Sequence, residues 1–260
     1  MTRDFTPAAF GRILDALEER HYRIVPVREW ARAAADGVAV IRHDVDRRPG
    51  NALALARLEA ARGVRVTYYF RTMPSAFDAG IIREIAAMGH EVGYHYEDLS
   101  VANGHPETAR RTFAANLARF APLAKVTTVV MHGAPLSRHY NLDFWKFATL
   151  GEFGLEAEAA LTDYARCTYF TDTGRSWRSP ANLRDLPPGA TFGPAFVRTS
   201  DDLCAYIRDV APPRIAINAH PERWDRELAP WCMQWTIDAA ANLIKLGLSY
   251  AGLRTRVAAA

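Results

Sequence analysis

Four short stretches hold side chains of the kinds that bind metal ions and move protons: Arg42-His43-Asp44-Val45-Asp46, His95-Tyr96-Glu97-Asp98, His132-Gly133 and His220-Pro221. Side chains two apart on extended backbone share a face, so Asp44 and Asp46 aim at one spot, and His95 and Glu97 repeat the arrangement. Two carboxylates so aimed repel unless a proton or a cation lies between them. A shared divalent ion with two oxygen ligands and one or two imidazoles is therefore geometrically natural, with Asp46, His95 and Glu97 as the expected set. The mixed nitrogen and oxygen set suits zinc, and cobalt, manganese or iron less exclusively. Water on such an ion is acidified enough to give hydroxide near neutrality, and hydrolysis of an amide or ester follows. Asp44 fits the base that takes the water's proton, and His220 the acid that protonates the departing amine. Singly, each residue has an ordinary reading as a cap, turn or strand-end group. Their recurrence at successive strand ends is what points to a site, and it requires Asp46 and His95 to lie within about 8 Å, given ligand bonds of ~2 Å. His43 faces away from Asp44 and is read as a packed supporting residue; His90 sits at the wrong end of its strand, and His21, His105 and His139 receive no role.

The elements that must carry these residues follow an α/β rhythm. Gly37-Val38-Ala39-Val40-Ile41 reads as a buried strand that delivers the first cluster at its C-terminal end, the functional end in parallel α/β folds. Thr6-Pro7 caps a first helix with Phe10, Ile13, Leu14 and Leu17 at helical spacing. A strand near 22–27, a helix near 28–35, a helix from Pro49 to Gly63, a strand over 64–70 and a helix closed by Gly89 come next. Strands over 91–94 and 125–131 end at the His95 and His132 clusters, with a helix from Pro106 to Phe120 between them. The rhythm then loosens, with strands near 155–161 and 167–171 and a turn at Pro187-Pro188-Gly189. Ser200 with Asp201 and Asp202 caps a helix to about Asp209, Arg214 to Ala219 forms a last strand, and one long helix runs from about 225 to 247. The expectation is a single domain over residues 1–260, an irregular (β/α) barrel whose strand ends share one mouth.

The totals fit a soluble globular chain of 260 residues with a net charge of +3, too small and too scattered for a nucleic-acid surface. Only Lys125, Lys146 and Lys245 are lysines, so arginine supplies nearly all the positive charge and, with it, a capacity for bidentate oxyanion contacts. Cys167, Cys204 and Cys232 are odd in number and far apart, which argues against a disulfide framework or structural zinc and for buried small hydrophobes. The N-terminus lacks a signal-peptide core, and the apolar C-terminal stretch is broken by Gln234, Asp238, Asn242 and Lys245. No membrane span is expected, and the cytoplasm is the default location. Arg71, Arg138 and Arg175, near strand ends, are candidates for an anionic substrate group.

These motifs resemble those of the polysaccharide deacetylase (NodB-homology, carbohydrate esterase family 4-like) superfamily, over roughly Val38 to Trp224. His43-Asp44-Val45-Asp46 resembles its first motif, a base aspartate and a metal-binding aspartate. Gly89-His90-Glu91-Val92-Gly93-Tyr94-His95 is similar to the segment ending in a metal histidine, and Ile215-Ala216-Ile217-Asn218-Ala219-His220 to the strand ending in the acid histidine. The sequence departs where the family carries a second histidine, here Leu99, so that Glu97 or Asp98 must stand in; Val45 separates the usually adjacent aspartates. In place of the family's Arg-Pro motif stands Met131-His132-Gly133-Ala134-Pro135-Leu136-Ser137. With Thr171-Asp172-Thr173-Gly174-Arg175-Ser176-Trp177 and His220-Pro221-Glu222-Arg223-Trp224, it looks like the branch found in bacterial O-antigen and surface-sugar biosynthesis. The resemblance implies an irregular (β/α) barrel and a hydrolase taking an acetyl or formyl group from an amino-sugar nitrogen. The substrate would be a small sugar, free or nucleotide- or lipid-linked. It also implies that Asp172 and Arg175 orient the acid and the substrate, that His132 contacts the substrate, and that a sugar face stacks on Trp177 or Trp224. A metal-free or differently metallated amide hydrolase, and a non-catalytic sugar-binding relative, are the alternatives.

Overall fold

The computed structural model of the chain describes residues 3–33, 35–134, 137–178 and 187–250, apart from the side chains of 245, 246 and 248–250. Pro135 and Leu136 of the His132 stretch, the Lys245 side chain and residues 251–260 thus lie outside the described residues. In chain order the elements are α1 (Pro7–Glu19), β1 (Arg23–Val25), α2 (Val27–Trp30), β2 (Val38–Val45), α3 (Pro49–Ala60), β3 (Thr67–Phe70), α4 (Ala79–Ala87), β4 (Glu91–Tyr96), α5 (Asp98–Val101), α6 (Pro106–Ala118), β5 (Thr128–Met131), β6 (Ala157–Glu158), β7 (Cys167–Thr171), β8 (Thr191–Phe192), α7 (Ser200–Val210), β9 (Arg214–Ala219) and α8 (Leu228–Tyr250). Short 3₁₀ turns occupy Asn141–Lys146, Leu150–Phe153 and Pro221–Arg223.

Local chemistry accounts for most of the boundaries. Thr6 accepts a hydrogen bond from the Ala9 amide at 3.1 Å and Pro7 opens α1, which buries Phe10, Ile13, Leu14 and Leu17. The expected helix over 28–35 is a single turn, because Pro26 starts it and no long apolar stripe follows. The cap of α7 is Thr199, which shares a capping box with Asp202. Ser200, read from the sequence as the cap, is the first helical residue and is fully buried. Two strands run further than their apolar runs suggest, β2 through Val45 and β4 through Tyr96.

All the strand pairings are parallel, and the sheet reads β6-β5-β4-β3-β2-β9-β7-β8. β1 joins the first residues of β2, on Val38 to Val40, while β3 joins its last four, so the two share one edge of the central strand. Among the described residues no ladder links β6 to β8. The sheet nevertheless curls. A flat sheet would hold Arg42 of β2 and Glu158 of β6, four strands apart, about 19 Å from each other. Yet while burial pushes the Glu158 carboxyl up to about 7, the Met131 amide and, after it, the Arg42 charge pull it back. The architecture is an irregular, open (β/α) barrel.

Strand parity sorts the side chains cleanly. Ala39, Ile41, His43 and Val45 of β2 pack outward under the helices, with Tyr68, Phe70, Val92, Tyr94 and Tyr96. Val38 and Val40 point inward with Tyr69, Val130, Tyr169 and Ala216. Tyr69 fills the interior so fully that a Cβ at Gly93 would come within 2.3 Å of its ring and 2.7 Å of the Thr128 carbonyl oxygen. Only glycine fits there. His43 donates into a buried outer network with Glu59 at 2.7 Å, which Tyr68 also reaches at 2.6 Å. Cys167 and Cys204 are buried as expected, whereas Cys232 is exposed on α8. Among the described residues no helix is long and apolar enough to cross a membrane.

Candidate active site

The inward parity of β2 carries Arg42 and Asp44 to the top of the barrel, and Asp46 just beyond it. Asp44 is buried; its Oδ2 accepts a hydrogen bond from Asn218 Nδ2 at 2.9 Å and lies 3.4 Å from the Arg42 guanidinium. Its Oδ1 is buried with no hydrogen-bond partner among the described residues. One oxygen is thus anchored and the other is left with free lone pairs.

Asp46 Oδ1 lies 3.5 Å from His95 Nε2 and 3.6 Å from His132 Nε2, and it too is buried without a hydrogen-bond partner. β2 and β5 are three strands apart, about 14 Å in a flat sheet, so the curl of the barrel is what brings His132 in. The remaining ring nitrogens are engaged elsewhere. His95 Nδ1 donates to the Val130 carbonyl oxygen at 3.1 Å, and His132 Nδ1 donates to Glu97 Oε2 at 3.0 Å. With protons on both Nδ1 atoms, two Nε2 lone pairs and a carboxylate oxygen face one another. Protein groups that hold the far nitrogen of a metal-binding histidine behave in the same way.

Glu97 does not stand where spacing put it. Its Oε1 is gripped by the Arg71 guanidinium and its Oε2 by His132. Burial alone would raise its carboxyl, but His132 and Arg71 hold it down at about 2. The reason for the shift is local: β4 stops at Tyr96, and Glu97 takes φ −142° and ψ 21° at the entry to α5, which breaks the alternation that would have paired it with His95. Asp98, the next oxygen, is buried and accepts from Tyr94 at 2.6 Å and Asn116 at 2.9 Å. His132, read from the sequence as a substrate contact, is the third donor next to Asp46.

A proton and a metal cation compete for the same imidazole and carboxylate atoms there. Burial pushes the Asp46 carboxyl upward, but His132 and His95 outweigh it and hold it well below the ordinary carboxylate range. Burial opposes charge on His95, but Asp44 and then Asp46 raise its affinity for a proton. Tetrahedral zinc with bonds of 2.0–2.1 Å places neighbouring donors roughly 3.3–3.4 Å apart; the 3.5 and 3.6 Å edges are of that size. Among the described residues no group of three or more His, Cys, Asp or Glu side chains forms a ready-made metal cage. The facing lone pairs, and not a closed cage, make these residues fit a divalent ion.

Across the mouth, His220 ends β9. Asp172, just after β7, is fully buried and accepts from the His220 amide at 2.9 Å, His220 Nδ1 at 2.6 Å, Arg223 at 3.2 Å and Trp224 Nε1 at 2.7 Å. Burial and Arg223 oppose a charged imidazole, but Asp172, by charge and hydrogen bond, and Glu222 raise His220 to about 9. His220 is an imidazolium at neutral pH with its Nδ1–H fixed.

Other expected contacts are placed elsewhere. Arg175, left-handed at φ 58°, is buried against Asp238 at 3.2 Å and lies over the Trp231 ring. It belongs to the layer that seats α8. Trp177 and Trp224 are about 1 % exposed and pack on Phe5 and on each other, so neither presents a ring face to a sugar. Arg138 is exposed. Arg71 does reach the site, 3.9 Å from Asp46, but Glu97 already holds it.

A cleft of about 270 Å³ opens on this group, lined by Asp46, Arg47, Arg71, Met73, Ser75 and His132. No family model matches the chain, and no curated protein does. Two solved structures overlap it loosely. The first is a family 4 carbohydrate esterase from Streptomyces lividans in complex with acetate, 13% identical, with a TM-score of 0.42 over 84% of this chain and 91% of that one. The second, from Mycobacterium smegmatis, carries the name "putative polysaccharide deacetylase" and is 16% identical, with a TM-score of 0.44 over 85% of this chain and 94% of that one. Overlaps this loose transfer no activity, and the functional reading rests on the residues themselves.

One further residue of the site has a signal that spacing could not supply. Glu222 is fully buried with both carboxylate oxygens lacking hydrogen bonds, and Arg223 stands 3.8 Å away. Burial pushes Glu222 up to about 7 against the pull of Arg223, with Asp46 adding to the rise. In the sequence it is one acid among 29.

Proposed function

We propose that this protein is a metal-dependent amidohydrolase that removes an acetyl or formyl group from the nitrogen of an amino sugar. The observation that carries the reading is the convergence on Asp46 Oδ1, an oxygen without a hydrogen bond, of two imidazole nitrogens whose partner nitrogens are already engaged. Asp46, His95 and His132 would hold the ion, and Glu97 would orient His132. Zinc is the first choice for two nitrogens and one oxygen. When bound, the ion supplies Lewis-acid polarisation of the amide carbonyl and acidifies a water.

The protein's own groups supply the proton transfers. Asp44 takes the attacking water's proton on Oδ1, the oxygen that Asn218 and Arg42 leave free. His220 gives its Nε2 proton to the amine nitrogen as the carbon–nitrogen bond breaks, which makes the amine a neutral leaving group. Asp172 holds the opposite edge of that ring and keeps it charged until then. The resemblance of the motifs to polysaccharide deacetylases supports an amino sugar, free or nucleotide- or lipid-linked, in surface-polysaccharide or sugar-nucleotide metabolism.

Metal analysis of the purified protein tests the reading. About one equivalent of a divalent ion is expected, lost in Asp46→Asn and in His95→Ala, together with release of acetate or formate from N-acetyl or N-formyl sugars. A second reading, amide hydrolysis without metal, draws on the lack of a closed cage among the described residues. Turnover that survives complete chelation would establish it in place of the first.

A further inference from the structure

The cleft at Asp46 and His132 holds two arginines that differ in their partners. Arg71 is neutralised: two of its nitrogens engage Glu97, and a third lies 3.9 Å from Asp46. Arg47 lines the same cleft and has no hydrogen bond or ion pair among the described residues, and its Nε is buried without a partner. The backbone holds it there. Arg48, left-handed at φ 55°, binds Asp225 through its side chain and the Ser75 carbonyl oxygen through its amide at 3.0 Å. The loop that carries Arg47 is thereby tied to the segment carrying Met73 and Ser75, which also lines the cleft.

A guanidinium so placed has lost part of its hydration at Nε without gaining an acceptor, which is costly unless an anion completes it. The site adds no relief, because the Asp46 charge is already shared by His95, His132 and Arg71. A neutral sugar would leave Arg47 as it stands. The size of the cleft limits what enters: 270 Å³ falls just below the ~300–1,000 Å³ of sites for drug-sized ligands, so it suits one small unit and its substituent.

We propose that Arg47 binds an anionic substituent, a carboxylate or phosphate, on the substrate whose amide lies against Asp46 and His132. The planar fork of a guanidinium pairs with two oxygens of either group, and Ser75 lines the same wall. The inference rests on the amidohydrolase reading for the position of the amide, but not for the anion itself.

The test is equilibrium binding of N-acetylglucosamine, its 1-phosphate and N-acetylmuramic acid to the metal-loaded protein, to Arg47→Gln and to Arg47→Lys. An anionic probe is expected to bind at least about tenfold more tightly than the neutral sugar, as one charge-assisted contact gives. That preference should vanish in Arg47→Gln and survive in part in Arg47→Lys. Preference for the phosphate alone, or for the carboxylate alone, names the group. Equal binding of charged and neutral probes, no binding of either anionic probe, or a preference unchanged in Arg47→Gln would overturn the proposal. Amide hydrolysis without anion preference would sink this inference and leave the hydrolase standing; an Arg47-dependent preference without hydrolysis of any amide would do the reverse.

Discussion

Replacing Asp172 by asparagine keeps the shape of the pocket behind His220 and removes the charge that sets its proton affinity. In the wild type His220 titrates at about 9, with Asp172 the first of the groups that raise it and burial and Arg223 the groups that lower it. Without the carboxylate the opposing pair prevails, and His220 should fall to its ordinary value near 6.5 or below. At pH 8 the protonated fraction then drops from roughly nine-tenths to about 3 % or less, so turnover by a general acid should fall about thirtyfold from protonation alone. The descending limb of kcat/KM should move from near pH 9 to about 6.5. Stability should respond with a definite sign. A histidine whose folded value exceeds its unfolded one stabilises fully below about pH 6.5, and that contribution disappears as pH rises through about 9; the variant should lose this slope. Full pH–rate profiles of both proteins, with circular dichroism to verify folding, decide the matter. A limb that stays near pH 9 in Asp172→Asn would refute the assignment of His220 as an acid tuned by Asp172.

Four further outcomes follow from the same contacts. Glu97→Gln should retain the fold and weaken zinc about 10- to 100-fold, as loss of a group behind a metal histidine does; competition with a chromophoric chelator measures it, and unchanged affinity would separate Glu97 from the ion. Asp44→Asn should bind metal normally and lose turnover by roughly 10²–10⁴; steady-state rates alongside metal content test both halves. Glu222→Gln addresses a carboxyl whose folded value, about 7, lies above the ordinary 4.5. Wild-type stability should therefore fall between about pH 4.5 and 7, by at most roughly 3 kcal/mol, and the variant should melt higher than the wild type at pH 8 but not at pH 4. Gly93→Ala should destabilise by ~1–3 kcal/mol through contact with the Tyr69 ring and the Thr128 carbonyl, read as a lower denaturant midpoint.

Much of this site was legible because strand parity is a strict rule. A side chain two residues from Asp44 must share its face, and the same rule sends His43 outward to Glu59. Strand ends were legible as well, since β2, β4, β5 and β9 all stop beside the residues singled out. The rule failed where extended backbone stopped. Glu97 lies one residue past β4, and its turn toward Arg71 left the place beside Asp46 to His132. Arg175, Trp177 and Trp224 were misplaced for another reason: their surroundings are built by Phe5, at least 170 residues from any of them, and for Arg175 by Trp231 of α8, which no local spacing encodes. Arg47 and Glu222 are visible only through buried atoms that make no hydrogen bond, which no sequence pattern records.

That no ladder joins β6 to β8 among the described residues also bears on how chains meet one another. These two strands are two residues long each, too brief to offer another molecule a row of free amides and carbonyls. Truncated margins are one means by which natural sheets discourage intermolecular growth. Lengthening either margin with β-branched residues is therefore the alteration most apt to promote association between chains, with no residue of the candidate site touched.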